Sequence, residues 1–293
     1  MIGWRKLKNE TILEPCECLV GKDIKIREIR CRAALVPSKI DGVDYCLNPY
    51  VGCEHGCIYC YAVFMKRYAQ HDEEWGQFVD IKANLVERLA VQLKKARPGS
   101  IMLGTVTDAY QPLEGRMGLS RKCLELLSQY DFEVHIQTKS DLILRDLDLL
   151  KYIRNCWAGF TITTLDERTA SEFEPRASKP SERLEALKIL SENGVRTFAF
   201  VGPVIPFFSD KVESLRAIFQ ELEGVKAKKV YIDRMHYWGD RWERIRSFIN
   251  SAHPELLGYY QRSRNSYQEY SAKLKTTVRK SLAGISLNCE ILF

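Results

Sequence analysis

The sequence of 293 residues has no apolar run long enough to span a bilayer as a helix, no repeat of fixed period, no low-complexity segment and no broad Gly/Ser stretch. These absences argue against a helical membrane protein, a solenoid and two domains strung on a flexible linker. The opening MIGWRKLKNE also lacks an apolar export segment, so the expected location is the cytoplasm, with no membrane partner. Neither sign of charge is in large excess: 44 Lys and Arg against 38 Asp and Glu give +6, which permits an acidic partner without identifying one. Charged residues make up only 28% and hydrophobic ones 45%, a balance that buries a sizeable core and excludes a disordered, fibrous or coiled-coil chain. The length suits one large domain or two ordinary ones.

Cysteine is what the chain has in quantity. Seven of its ten cysteines fall within the first 60 residues. In a reducing compartment such clustering points to metal ligation or redox work rather than to a disulfide framework. Cys123, within a helical pattern, and Cys156, opening an apolar strand, read instead as ordinary buried residues.

Residues 1–45 alternate short apolar groups with charge, Pro and Gly, and read as an irregular or partly extended cysteine-containing extension. Helix and strand patterns then alternate. IKANLVERLAVQLKKAR has a helical period stopped by Pro98-Gly99, and IMLGTVTDAYQPLE opens as a strand and ends polar. RKCLELLSQY, FEVHIQT, a Leu-rich helix through Tyr152 and CWAGFTITT continue the order, followed by SERLEALKILSENG, VRTFAFVGPVIP, VESLRAIFQELEG and KVYIDRM. Asp210 with Glu213, and Asp240 with Glu243, have the spacing of capping boxes for two of the helices. The count is about six β/α steps. The expected fold is therefore α/β, a partial parallel (β/α)6 barrel over residues 46–250, followed by a basic C-terminal extension over 251–293; an open α/β sheet is the alternative. Either architecture places ligand chemistry beyond the C-terminal ends of the strands. The terminal QRSRNSYQEYSAKLKTTVRK reads as a solvated helix with its aromatic side packed.

Within LNPYVGCEHGCIYCYA, the spacing Cys53-x3-Cys57-x2-Cys60 puts three soft anionic ligands on one short loop. That set suits three irons of a 4Fe-4S cube and leaves the fourth iron open to the amino and carboxylate groups of an activated methionine, whereas a structural zinc site closes with four ligands. Tyr59 either packs near the cluster or adenine or simply fills the loop; His55 reads as a hydrogen-bonding residue without a catalytic part. A second group, Cys16, Cys18 and Cys31, could hold an auxiliary iron-sulfur cluster or a zinc ion, or could consist of unrelated packed thiols.

From this motif through GTVTDAYQPLE, the Thr161–Asp166 run TITTLD and the later PVIP, residues 46–235 resemble the radical S-adenosylmethionine superfamily, and within it the branch related to spore photoproduct lyase. The resemblance implies a partial barrel of that type, a 4Fe-4S cluster on Cys53, Cys57 and Cys60, S-adenosyl-L-methionine as second cofactor and a reducing electron donor as partner. It also implies cofactor positions at Gly104, Thr105, Thr107 and Asp108, with Asp108 the preferred carboxylate. Tyr110 and Gln111 either shape the substrate entrance or pack the turn. Thr161 and Thr163, two apart on one strand, would share a face toward ribose or a carboxylate. Arg176 would reach the methionyl carboxylate, and Gly202 with Pro203 would turn the next strand toward adenine.

The expected function is radical modification of a nucleic acid, a protein or a small molecule, with repair of a DNA photoproduct as the alternative; DNA and RNA are the macromolecular substrates considered, and no protein partner is read from the sequence. Two other classes remain: an iron-sulfur electron carrier that never cleaves S-adenosylmethionine, and a nucleic-acid-binding module built on the basic terminus.

Overall fold

A computed structural model describes residues 24–237 and 239–293. They form two compact units. The first holds residues 24–56, 62–136 and 148–156; the second holds residues 57–61, 137–147 and 157–293. Among the described residues, no helix is long and apolar enough to cross a membrane.

Strands of the first unit are β1 (Lys25–Ile29), β2 (Leu35–Pro37), β3 (Tyr45–Leu47), β4 (Tyr50–Gly52), β5 (Phe78–Lys82), β6 (Ser100–Leu103) and β7 (Glu133–Thr138), the last of which runs on into the second unit. β3, β6 and β7 pair in parallel, with β2 antiparallel at the edge. Parallel order requires a crossover between neighbours, and the helices Leu85–Leu93 and Leu119–Leu127 supply it, packing on each other. Leu85, Leu89 and Leu93 recur every four residues and are all buried, the stripe that a helix over a sheet presents. A small second sheet has β5 between β1, parallel to it, and β4, antiparallel. The extension, read as irregular or partly extended, contributes β1 and β2, strands too short for their period to show in the sequence.

In the second unit, β8 (Asn155–Thr161, whose first two residues belong to the first unit), β9 (Arg196–Val204), β10 (Lys229–Arg234) and β11 (Cys289–Ile291) pair in parallel in that order. Phe160, Ala199, Val201, Val230 and Ile232 are fully buried, as expected for strands covered on both faces. The helices Pro180–Glu192, Val212–Gly224 and Asp240–Ala252 follow β8, β9 and β10. Among the described residues β6, β7, β8, β9 and β10 are each followed by a helix, and the chain after β3 reaches one by way of β4, which agrees with the expected α/β order. The C-terminal segment forms two helices, Leu257–Asn265 and Tyr267–Ser281, and the second packs along Val212–Gly224.

Both expected capping boxes are corrected by the structure. Asp210 lies before Lys211, the cap residue of Val212–Gly224, and its carboxylate accepts hydrogen bonds from the hydroxyls of Tyr259 (3.1 Å) and Tyr270 (3.0 Å). Asp240 is the first residue of its helix rather than the cap, and Glu243 pairs with Arg246 at 2.8 Å. Asp210 Oδ1 accepts the amide of Phe207 (2.9 Å) rather than one of the helix that follows.

β1 is tied to the loop before β5 by Lys25 Nζ on Glu73 Oε1, 2.8 Å apart. The hydrogen bond from Lys25 holds the Glu73 carboxyl down from 4.5 to about 2. A carboxylate depressed on folding stabilises above its unfolded value and loses that contribution as pH falls through the folded one. From pH 5 to pH 3, the urea midpoint should therefore fall less in Glu73→Gln than in the parent protein; equal falls would remove Glu73 from the account.

Candidate functional site

The motif loop begins in the first unit, at the end of β4. Gly52 has φ of +89°, and a Cβ there would lie 2.4 Å from the Phe78 carbonyl oxygen, so only glycine fits. Its own carbonyl accepts the Thr107 hydroxyl at 2.5 Å. Cys53 follows, 7% exposed, with its carbonyl accepting the Gly56 amide in a tight turn. The Glu54 amide donates to Gln111 Oε1 (2.7 Å), and Gln111 Nε2 donates to Thr107 Oγ1 (3.0 Å).

The segment after β6 is therefore latched to this half of the loop. Gly104, at φ +86°, donates its amide to the Leu47 carbonyl. Asn48 Nδ2 donates to Thr105 Oγ1 (2.9 Å), while Asn48 Oδ1 accepts the Val106 amide (3.0 Å). Asp108 Oδ1 accepts the Tyr110 amide at 2.9 Å, and Oδ2 lies 3.3 Å from His55 Nδ1. All four residues expected from the GTVTD run stand beside the loop. The sequence reading missed Asn48 as the bracket between them; His55, read as a hydrogen-bonding residue, is buried with Nδ1 facing the Asp108 carboxylate.

Cys57, Tyr59 and Cys60 belong to the second unit. The Ile58 amide donates to the Phe173 carbonyl (2.9 Å), and the Cys57 carbonyl accepts the Cys60 amide (3.2 Å) and Arg244 Nη2 (3.5 Å). Burial pushes the Cys57 thiol up to about 12, opposed by the nearby Lys139 ammonium. Tyr59 is buried with its hydroxyl donating to Glu174, and burial raises its pKa well above the ordinary phenol value. Lys139 Nζ stands 5.7 Å from the centre of the Tyr59 ring.

Glu174 is 1% exposed and gathers the neighbouring groups. Thr163 Oγ1 donates to it at 3.1 Å, and Arg183 Nη2 pairs with it at 2.5 Å. Burial disfavours the charge, yet the Arg183 guanidinium, aided by Lys139, holds the carboxyl below its usual value. Arg183 also donates to the Thr161 carbonyl (3.0 Å) and the Ser178 carbonyl (2.7 Å). Thr161 ends β8 and accepts Gln137 Nε2 at 3.1 Å, so Thr163 lies beyond the strand and the two threonines do not share a strand face. Arg176 is exposed in the turn after Glu174, and Gly202 is buried in β9, where a Cβ would meet the Phe200 ring at 2.3 Å.

The buried Glu174–Arg183 pair was not anticipated. Its signal was available: Arg183 stands on the buried stripe of its helix with Ala186, Leu187 and Leu190, a place where an arginine needs a partner. Cys31 is buried, with its backbone bonded at both ends to the Asn84 side chain; Cys16 and Cys18 lie outside the described residues.

Among the described residues, no three His, Cys, Asp or Glu side chains already stand gathered as a metal site. Their chemistry nevertheless fits a thiolate-bound cluster. Three thiols fall within eight consecutive residues, two of them nearly sealed from water, and the loop backbone is pinned on both sides of its middle.

The family model of the radical SAM superfamily matches residues 47–218. An uncharacterized protein of Methanocaldococcus jannaschii is 37% identical over 191 residues, 65% of this chain and 72% of its own. An uncharacterized protein of the Acidianus two-tailed virus is 29% identical over 252 residues, 78% and 83% of the two chains. Among solved structures, spore photoproduct lyase complexed with dinucleoside spore photoproduct aligns with a TM-score of 0.67 at 15% identity, over 92% of this chain and 82% of that one. Streptococcus suis SuiB bound to its precursor peptide SuiA aligns with a TM-score of 0.56 at 13% identity, over 85% and 48%.

Removing the cation from the buried pair tests the arrangement around Tyr59. Arg183→Met should cost about 3–5 kcal/mol, because it leaves the Glu174 charge buried alone. Urea unfolding reads this, and the double change Glu174→Leu with Arg183→Met should recover most of the loss; an equal loss in both would mean that packing, not charge, is responsible.

Proposed function

Because the chain belongs to the radical SAM superfamily, we propose that it is an enzyme that holds a 4Fe-4S cluster on Cys53, Cys57 and Cys60 and binds S-adenosyl-L-methionine beside it. The observation that carries this reading is the CxxxCxxC loop itself, within the span matched by the family and fixed by buried hydrogen bonds of its own units. The chemistry supplied when both cofactors are bound is one-electron cleavage of the sulfonium C–S bond, giving methionine and a 5'-deoxyadenosyl radical that takes a hydrogen atom from the substrate.

The chain's own part is positioning. Cys53, Cys57 and Cys60 would hold three irons of the cube, which would leave a fourth without a protein ligand and open to S-adenosylmethionine. Gly104, at positive φ with Ala109 packed where a Cβ would stand, lets the backbone after β6 turn, and Thr105, Thr107 and Asp108 supply polar groups for the cofactor there. Thr161, Thr163 and Gly202 line the approach for ribose and adenine, Tyr59 packs beside the last ligand, and Arg176 meets the methionyl carboxylate. Burial of Cys53 and Cys57 keeps water from the cluster. The neighbours sharing this fold were solved with a dinucleoside spore photoproduct in one case and a precursor peptide in the other, so the fold does not choose the substrate.

Ala at Cys53, Cys57 or Cys60 should reduce iron bound after anaerobic reconstitution from about four per chain to near zero, whereas Cys123→Ala, in a buried helix position, should bind iron normally. Full iron loading in any of the three variants would remove that cysteine from the ligand set. Arg176→Ala should weaken S-adenosylmethionine binding to the reconstituted protein by about tenfold, the worth of one charge-assisted contact. Unchanged affinity, measured by calorimetry, would contradict the assignment.

A further inference from the structure

A cavity of about 310 Å3 in the second unit is lined by Tyr237, Arg264, Asn265 and Tyr267. This is the small end of ligand pockets, a size for one ring system rather than for an extended peptide. Its walls are rigid aromatics. Tyr237 is 5% exposed and Tyr267 is half-buried, their rings 6.0 Å apart at 77°. The Tyr267 hydroxyl accepts Arg234 Nε at 2.7 Å and lies 2.8 Å from His236 Nδ1, while the Arg234 guanidinium covers the ring at 4.3 Å. The Tyr237 hydroxyl is buried without a hydrogen-bond partner among the described residues, a donor that a ligand acceptor would satisfy.

The rim has different chemistry. Asn265 is exposed and offers an amide donor and acceptor side by side, the pair that matches a base edge. Arg264 is exposed with its guanidinium held 4.8 Å over the Trp242 ring, and Arg262 is exposed two residues earlier. Along the two helices over residues 257–281 stand six lysines and arginines against one carboxylate, Glu269. Tyr237 and Trp242 share one buried cluster with Cys57 and Tyr59, and Tyr267 and Cys60 pack against it, which puts this face next to the cysteine loop in the same unit.

The geometry points to a nucleic-acid strand as the partner of this face, with one unpaired base entering the pocket, its edge on Asn265 and the Tyr237 hydroxyl and its flanking phosphates on Arg264 and Arg262. The aromatic lining gives apolar surface to any base, the Tyr237 hydroxyl and Asn265 amide meet its polar edge, and arginine forks grip phosphate oxygens. The inference names the substrate class for the radical chemistry proposed above and rests on that reading only for what happens to the base, not for its binding.

Binding is therefore measured without cofactors, on the full chain, by fluorescence anisotropy at fixed salt. The probes are labelled single strands of about 12 nucleotides, a strand of equal length with abasic sites at its centre, the matching duplex, and polyglutamate as competitor. The intact strand should bind about tenfold tighter than the abasic strand or the duplex, and polyglutamate should not compete at equal charge. Asn265→Ala and Arg264→Ala should each weaken the intact strand about tenfold. Lys280→Ala, at the far end of its helix and about 20 Å from Tyr267, should weaken it less than threefold. Asn265 is exposed, so its variant folds even if Arg264→Ala loses its packing on Trp242.

Equal binding of the abasic strand, equal losses in all three variants, competition by polyglutamate, or no binding would each overturn the inference. A failure of the radical reading alone would leave strand binding intact while no cofactor is cleaved, so the two failures are separable.

Discussion

A carboxylate sealed from water, Glu174, is the constraint on which the second unit's part of the site depends. Ionised and buried, it would cost several kcal/mol if left alone, and the chain answers with Arg183, Tyr59 and Thr163. Each answer fixes something else. Tyr59 is in the middle of the cysteine motif, Thr163 lies just past the end of β8, and Arg183 carries the network on to the carbonyls of Thr161 and Ser178. A single buried charge thus sets the position of the motif loop relative to a strand end and the start of a helix. Such pairs contribute more to uniqueness of arrangement than to net stability, which is the use a cofactor loop has for them.

The first unit holds its share of the loop by neutral means. Gly52 gives the backbone a conformation other residues avoid, and Thr107 and Gln111 occupy the loop's carbonyl and amide groups. Asn48 brackets the segment after β6 with both ends of its amide. With the backbone restrained on either side, what remains for ligand binding is the organisation of three thiols, and little chain entropy need be lost at that moment.

Much of the fold was legible because parallel strands and amphipathic helices leave strong periodic signals. VESLRAIFQELEG, read as a helix, is the span Val212–Gly224 observed, with Leu215, Ile218, Phe219 and Leu222 on its buried stripe. Local rules failed where a distant group competed: Asp210 has the spacing of a capping box, but tyrosines from the C-terminal helices take its carboxylate. At the site, the cysteines and the Gly104–Asp108 run were legible from spacing and chemistry. The Glu174–Arg183 pair was not, since attention to the charge at Arg176 passed over an arginine on an apolar stripe. The terminal segment reads as one solvated helix with its aromatic side packed, but it is broken at Ser266 into two; the cavity stayed hidden because it arises where the two helices and a loop meet and leaves no local pattern.

The central claim is that the cysteine loop supports radical initiation from S-adenosylmethionine. Its most direct measurement is quantification of 5'-deoxyadenosine and methionine after anaerobic reconstitution with iron and sulfide and reduction in the presence of S-adenosylmethionine. The account predicts both products in equal amounts, dependent on the reductant. A fully loaded, reducible cluster that binds S-adenosylmethionine and yields neither product, with or without an added nucleic-acid strand, would contradict it.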